Sequence, residues 1–201
     1  MPLTWQSLLG RWIWDLCDRL AGEGFVALAP DLYSGKQART IDEAEQIVAQ
    51  FQEAQVGPPT ILSAVEELSQ RATLTPRGLG TVGFSMGGFW ALWLSQQKPD
   101  LIGAVTIFYA TDGGRGDYLT SKAAYRGHFA ETDPYETAAE VKALETSLRG
   151  AGRPTTFHTY PGTGHWFFEN DRWEAYDAPA AQMAGDRTLA FLRAQLASRP
   201  N

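Results

Sequence analysis

Apolar and polar positions along this 201-residue chain fall into alternating short and long blocks. Short, nearly continuous apolar runs such as Phe25–Ala29 and Leu101–Tyr109 are typical of strands buried on both faces of a parallel sheet. The predicted strands are Phe25–Ala29, Leu79–Phe84, Leu101–Tyr109, Arg126–Ala130 and Thr155–Tyr160.

Longer blocks predict helices around and between these strands. The predicted helices are Arg11–Ala21, Ile41–Ala54, Thr60–Ala72, Phe89–Gln97, Pro134–Arg149 and Ala178–Leu196, with Gly57-Pro58-Pro59 separating the second from the third. Strands that alternate with helices predict the α/β class, with a mostly parallel sheet flanked by helices. Because neither a repeat nor a linker is visible, residues 1–201 are expected to form a single domain.

Composition and charge narrow the range of functions. Hydrophobic residues make up 44% of the chain and charged residues 20%, as in ordinary globular proteins. A net charge of −6 argues against nucleic-acid and anionic-membrane surfaces. The single cysteine, Cys17, lies on the apolar stripe of the first predicted helix, so a buried structural thiol is expected. Without a signal-peptide pattern, a long apolar segment or a paired Cys/His cluster, we expect a cytoplasmic protein that uses no metal or cofactor.

The segment Gly83-Phe84-Ser85-Met86-Gly87 fits G-x-S-x-G, the nucleophile elbow. An apolar run leads into it and a helical stretch follows, which is the strand–turn–helix context that the elbow requires. We therefore predict Ser85 as a nucleophile in a strained turn, with Gly83 and Gly87 required because side chains there would collide with the turn or the neighbouring strand. The N–H of Met86, at the start of the helix, is the expected oxyanion donor.

A second glycine pattern overlaps the first. Residues 78–83 spell G-x-G-x-x-G, the dinucleotide fingerprint. That fingerprint follows a strand and opens a helix, whereas these glycines precede and include a strand. The match is interpreted as accidental.

A serine hydroxyl needs an imidazole base, and the base needs a carboxylate that fixes its tautomer. His165 is the predicted base because it follows Pro161-Gly162-Thr163-Gly164 in a loop beyond the last strand, at the edge of the sheet where catalytic residues collect. His128 and His158 lie inside predicted strands and are interpreted as structural.

Three carboxylates are candidates for the acid that fixes the tautomer of the base. Asp133 follows a predicted strand and lies between Ser85 and His165 in the chain, in the order usual for enzymes with this elbow. It also precedes a predicted helix, so a helix N-cap is an alternative role. Asp112 is the main rival, and Glu131 is the next.

Aromatic residues make up 12% of the chain, and several lie beside the predicted catalytic loops. An apolar or aromatic pocket for an acyl or alcohol group is therefore expected. The residues proposed to line it are Trp5, Tyr33, Phe84, Tyr109, Trp166 and Phe167.

Together these segments resemble the dienelactone hydrolase family. The matching segments, spread in order over nearly the whole chain, are Leu20–Tyr33, Gly83–Gly88, Asp133-Pro134 and Tyr160–Phe167. The resemblance implies an α/β-hydrolase fold without a cap domain and cofactor-free hydrolysis of esters or lactones. It places Ser85 at the nucleophile position, Asp133 at the acid and His165 at the base. It also gives Asp31 a structural role and adds a second oxyanion donor near Trp5 to Leu8, for which we choose Gln6.

Three departures from the family pattern refine the prediction. The namesake enzymes use cysteine where this chain has Ser85, and a glutamate where it has Trp5. The anionic dienelactone is held partly by basic residues, whereas the segment after His165 offers Glu169. The preferred substrate is therefore expected to be a small neutral or aryl ester, or else a lactone.

The start of the chain and the reaction class leave alternatives open. Compared with the family, the chain begins inside or just before the oxyanion loop, so the usual N-terminal strands are expected to be lacking. A stub from Met1 to Gln6 and closing up of the neighbouring strands are two ways to compensate. A homodimer that covers the exposed edge is the third, and it would bury the apolar N-terminal residues Leu3, Trp5, Leu8, Leu9, Trp12 and Trp14. The leading function is a serine carboxylesterase. The alternatives are an acyltransferase with the same triad and a non-catalytic binding module.

Overall fold

Nine elements can be traced in the computed structural model, which describes residues 11–36, 43, 46–47, 53–71 and 78–196. They are α1 (Arg11–Gly22), α2 (Glu53–Arg71), β1 (Leu79–Phe84), α3 (Met86–Gln97), β2 (Ile102–Phe108), β3 (Ala124–Thr132), α4 (Ala138–Gly150), β4 (Thr155–Gly164) and α5 (Ala178–Leu196). The chain forms two compact units, Met1–Thr73 and Leu74–Asn201.

The second unit is built on a four-stranded sheet in the order β1-β2-β3-β4, in which each neighbouring pair is parallel. Helix α3 packs against β1 and β2, α5 packs against β1, β2 and β3, and α4 packs against β4. All four strands therefore point their carboxyl ends to one edge of the sheet, where the sequence places its candidate chemistry.

Local sequence explains why these elements begin and pack as they do. Helix α4 begins with a capping box in which Thr137 and Glu140 satisfy each other's backbone N–H groups. Gly80 lets α5 approach β1 closely, because a Cβ there would lie 2.9 Å from the side chains of Leu192 and Leu196. Gly80 and Gly83 both lie within β1, so the overlapping dinucleotide pattern does not open a helix.

The first unit differs from the prediction at Phe25–Ala29, which is not a strand. A strand is stabilised by hydrogen bonds to a neighbour, and none of the described residues pairs with this segment. Val26 accordingly leaves 58% of its surface exposed. Asp31, in the turn that follows, accepts hydrogen bonds from the N–H groups of Tyr33 (2.9 Å) and Gly35 (2.5 Å), a structural role that fits the expectation.

Helix boundaries also differ from the prediction in this unit. Pro58 and Pro59 lie inside α2, so the expected break is wrong, although neither proline can donate the usual helical hydrogen bond. Most of the predicted helix Ile41–Ala54 lies outside the described residues. Cys17 is half-buried on α1, and its burial, together with the nearby Asp18, raises the pKa of its thiol.

In the second unit the elements match more closely. The predicted strand Leu79–Phe84 and the predicted helix Ala178–Leu196 are confirmed, and the bounds of the other strands and helices shift by a few residues. Helix α4 begins at Ala138 rather than at Pro134, because Thr137 is its cap. Strand β4 extends to Gly164, so His165 follows the strand directly.

Candidate active site

The turn between β1 and α3 holds Ser85 in a strained conformation, with φ 48° and ψ −122°. Its N–H donates to the carbonyl of Phe108 at 3.0 Å, and its own carbonyl accepts from the N–H of Gly88 at 2.8 Å. Strain of this kind persists only where the surroundings fix the backbone. The elbow predicted from the sequence is therefore present, with Ser85 at its apex.

The glycines of the elbow have different reasons for being there. A Cβ on Gly83 would overlap the backbone of Gly87 and Gly88, as expected. A Cβ on Gly87 would meet no described atom within 4 Å, so the prediction that a side chain there would collide is wrong over the described residues. The crowded position is Gly88, where a Cβ would overlap that of Ala110 in the neighbouring segment.

The structure brings together the three side chains chosen from the sequence. His165 Nε2 lies 3.2 Å from Ser85 Oγ, and His165 Nδ1 lies 2.7 Å from Asp133 Oδ2. The side chains of His165 and Asp133 are each only 3% exposed. With Asp133 ionised, Nδ1–H donates to the carboxylate and Nε2 accepts from the serine hydroxyl, which is the tautomer a general base requires.

Backbone contacts fix the Asp133 carboxylate as an acceptor. Its Oδ1 accepts from the N–H groups of Tyr135 (2.9 Å) and Glu136 (3.1 Å), which leaves Oδ2 for His165. Burial raises the pKa of Asp133, but the hydrogen bonds from His165, Tyr135 and Glu136 outweigh burial and lower it overall. Because Thr137 caps α4, Asp133 is not the helix cap that the sequence left open.

The rival acids have other partners. Asp112 is 6% exposed and accepts from the N–H groups of Gly114 and Gly116 and from the Tyr118 hydroxyl, at 2.7 to 2.9 Å. Glu131 accepts from the N–H of Gly162 at 2.9 Å. Asp112 therefore organises its own loop, and Glu131 links β3 to β4.

Among the other histidines, His128 is fully buried between the Tyr160 hydroxyl (2.7 Å) and Thr188 Oγ1 (3.1 Å). The ring of His158 stacks 5.7 Å from that of His128. Among the described residues neither ring hydrogen-bonds to Ser85 or Asp133, which agrees with the structural interpretation of both.

Three aromatic rings surround the imidazole of His165. Tyr109, Tyr135 and Trp166 have ring centroids 4.7, 4.9 and 4.8 Å from it, respectively. Tyr109 is fully buried, whereas Tyr135 remains 54% exposed. The sequence analysis named Tyr109 and Trp166 but missed Tyr135, although an aromatic residue two positions after the candidate acid was a usable signal.

The remaining predicted pocket and oxyanion residues are placed as follows. Phe84 stacks on Phe108 at 4.4 Å, and Phe167 is fully buried in the same cluster. Met86 is the first residue of α3, where backbone N–H groups point toward the elbow. Tyr33 lies in the first unit, and Trp5 and Gln6 lie outside the described residues. The pocket and oxyanion roles stay predictions.

Glu169 is buried, whereas the sequence suggested that its charge faces the substrate. Only 4% of it is exposed, and its carboxylate accepts from the Tyr109 hydroxyl at 2.9 Å and from Arg172 Nε at 2.5 Å. Burial raises its pKa to about 7, against the opposing effects of Arg172 and Tyr109. Glu169 is therefore a buried, paired group, and the argument that it disfavours anionic substrates loses its basis.

Over the part of the chain that the structure describes, no group of three or more His, Cys, Asp or Glu side chains could hold a metal ion. None of the helices among these residues combines the length and apolar character needed to span a bilayer.

The sequence of the chain is similar to those of known proteins over nearly its whole length. The model of the dienelactone hydrolase family matches residues 9–196, nearly the whole chain. The chain belongs to the dienelactone hydrolase family. Protein usf of Aquifex pyrophilus is 30% identical over 185 residues, which cover 90% of this chain and 80% of that protein. A Bradyrhizobium protein named "Probable 2-oxo-3-(5-oxofuran-2-ylidene)propanoate lactonase" is 29% identical over 203 residues, covering 95% and 81% respectively.

Solved structures agree on the fold. The crystal structure of a dienelactone hydrolase-like promiscuous phosphotriesterase from metagenomic libraries has a TM-score of 0.81, with 17% identity over 94% of this chain and 82% of that one. The predicted α/β-hydrolase fold is thereby confirmed. As a member of the dienelactone hydrolase family, this protein is a hydrolase of the ester and lactone kind, and a non-catalytic role is set aside.

Proposed function

We propose that this hydrolase works through an acyl-enzyme on Ser85. The observation that carries the proposal is the continuous relay from Ser85 Oγ through His165 to Asp133, with links of 3.2 and 2.7 Å. Such a relay raises the nucleophilicity of a serine that would otherwise be unreactive near neutral pH.

The steps balance as in other serine hydrolases. Ser85 Oγ bonds to the acyl carbon while its proton passes to His165 Nε2, and Asp133 stabilises the imidazolium that forms. The N–H of Met86 is the proposed donor to the oxyanion, because it lies at the N-terminus of α3. The bond from the acyl carbon to the alcohol oxygen breaks as His165 gives this proton to the leaving alcohol. Water then adds to the acyl carbon and gives its proton to His165, which returns it to Ser85 Oγ as the acid leaves.

We keep small neutral or aryl esters, or else lactones, as the proposed substrates. The support is now the aromatic wall beside His165, of which Tyr135 is 54% exposed and lies 5.4 Å from Trp166. An exposed ring beside a buried base favours contact with an apolar or aryl group. Comparing kcat/KM for phenyl acetate and for a carboxylate-bearing dienelactone tests this preference, and a clear advantage for the anion would refute it.

The acyl-enzyme is tested with p-nitrophenyl acetate and the Ser85→Ala variant. We expect a loss of at least about a thousandfold in kcat/KM, because the nucleophile and base act as one unit. Ser95→Ala is the matched control: this serine of α3 is buried and hydrogen-bonded to Tyr125 at 2.7 Å, but it does not contact His165. Retention of more than about a tenth of the activity by Ser85→Ala would remove Ser85 from the mechanism.

Added ethanol separates hydrolysis from acyl transfer by the same site. Hydrolysis predicts acetate as the main product in dilute alcohol. Predominant formation of ethyl acetate would identify an acyltransferase.

A further inference from the structure

Glu169 is a buried carboxylate that the proposed reaction does not use. It follows His165 by four residues, in the loop that leads from β4 toward α5. Burying a carboxylate is costly unless its oxygens are satisfied. Here each oxygen has its own partner: Oε1 accepts from Tyr109 and Oε2 from Arg172.

Both partners of Glu169 are connected by ring contacts to the imidazole of His165. The ring of Tyr109, at the end of β2, lies 4.7 Å from that of His165. The guanidinium of Arg172 lies 4.4 Å over the ring of Trp166, which meets His165 edge-on at 4.8 Å and 90°. The contacts form a closed circuit from His165 through Tyr109, Glu169, Arg172 and Trp166 and back to His165.

Backbone strain falls on the same circuit. Tyr109 and Trp166 both have positive φ values, 37° and 69°, which are unfavourable for bulky side chains. Such a conformation is kept only where surrounding contacts over-determine it. The carboxylate of Glu169 supplies such a contact to Tyr109 directly and to Trp166 through Arg172.

We propose that Glu169 is a positioning residue that holds the His165 ring in register with Ser85 and Asp133. This inference rests on the proposed function of His165 as the base, but it concerns a group outside the triad. The link from His165 to Ser85 is the longer of the two in the relay and lies at the outer end of the usual hydrogen-bond range, so a small rotation of the ring away from Ser85 would break it. A displacement of about 1 Å in an active site can cost about a hundredfold in rate.

The kinetic test uses Glu169→Gln and Tyr109→Phe. Each should lower kcat, Glu169→Gln by about ten- to a hundredfold, while KM changes less than about threefold, because substrate contacts remain. In the double variant the losses should not multiply, because both changes open the same circuit.

Tyr118→Phe is the control for a purely structural loss. Tyr118 is fully buried and donates to a buried carboxylate, Asp112, at 2.7 Å, as Tyr109 does to Glu169. It lies outside the circuit. It should lower the melting temperature about as much as Tyr109→Phe does and leave kcat unchanged.

A direct readout of His165 does not depend on activity. The chain has three histidines, so the Nδ1–H proton bonded to Asp133 can be assigned by NMR with ¹⁵N-labelled histidine and the His165→Ala variant. In Glu169→Gln this proton should exchange with water at least about tenfold faster, because the hydrogen bond opens more often. In Tyr118→Phe its exchange should match that of the wild type.

The inference is overturned if Glu169→Gln keeps the wild-type kcat, or if kcat falls while the Nδ1–H proton is unaffected. Failure of the proposed function shows differently, as retained activity in Ser85→Ala. In that case the NMR measurement still decides whether Glu169 holds His165.

Discussion

His165 and His128 are buried to nearly the same extent but have different surroundings. They are 4% and 0% exposed, and both ring nitrogens of each have a hydrogen-bond partner. His128 lies inside β3 and bonds to two hydroxyl groups. His165 lies just beyond β4 and bonds to one hydroxyl group and one carboxylate.

The difference extends to the neighbouring charges. Burial lowers the pKa of His128 well below its ordinary value, and His158, Arg126 and Arg187 lower it further. His128 is thus held neutral, whereas Asp133 offers His165 a partner that stabilises a positive charge. Burial alone therefore does not make a histidine a base. What distinguishes His165, the proposed base, is its position at the carboxyl edge of the sheet and its carboxylate partner.

The largest effect on activity is expected when the His165 and His128 rings are removed one at a time. His165→Ala should match Ser85→Ala in hydrolysis of p-nitrophenyl acetate, a loss of at least about a thousandfold that does not add in the double variant. His128→Gln should destabilise the fold but keep kcat at 25 °C within about threefold, because it touches no reacting group. A comparable loss of kcat in folded His128→Gln would contradict the distinction between a structural His128 and a catalytic His165.

The next effect concerns the acid. Asp133→Asn should lower kcat by up to about ten-thousandfold, because an amide can favour the wrong tautomer of His165. Asp112→Asn should mainly lower the melting temperature, because this carboxylate accepts three hydrogen bonds within its own loop. Steady-state kinetics together with thermal melts of both variants separates these outcomes. If Asp112→Asn proves the more damaging to kcat, the acid has been assigned wrongly.

Ser85 faces His165 only because of the tight elbow, which a pair of glycine variants tests. Gly83→Ala should lower the free energy of unfolding by about 1–3 kcal/mol, because its Cβ meets backbone that cannot move away. Gly87→Ala should raise it by about 0.5–1 kcal/mol, since the residue is helical and its Cβ would meet no described atom within 4 Å. Urea denaturation measures both, and equal losses would contradict this account of the elbow.

The smallest effect is the dependence of stability on pH that arises from His128. Its folded-state pKa is lowered, so the unfolded state binds more protons below about pH 6.5. Stability is then complete above that pH and falls as the pH decreases, by up to about 1.4 kcal/mol per pH unit for one histidine. Unfolding in urea at pH 7.5 and 5.5 should show a smaller difference for His128→Gln than for the wild type. An unchanged difference would mean that His128 is already protonated in the fold.

The elbow and the place of His165 beside it could be predicted because their signals are local. Ser85 lies in a short motif with a strand before it and a helix after it, and His165 follows a glycine-bearing segment at the end of a strand. Asp133 was also chosen from the sequence, but on a weaker signal, because Asp112 and Glu131 also lie near the ends of strands.

Features that depend on distant partners could not be predicted. The apolar run at Phe25–Ala29 fits a strand in isolation, but a strand also needs a neighbour. Glu169 reads as a free acid next to His165, yet its environment comes from Tyr109, which lies 60 residues away in the chain. Arg172, three residues after Glu169, was the one local hint that this charge is paired.

Mapping the residue labelled by a fluorophosphonate tests the central claim most directly, because this probe reports a serine activated by its base. We expect the probe to label the peptide that contains Ser85 in the wild type and in His128→Gln. In His165→Ala we expect almost no labelling of that peptide. Label on another residue, or labelling of His165→Ala at the wild-type rate, would contradict the account.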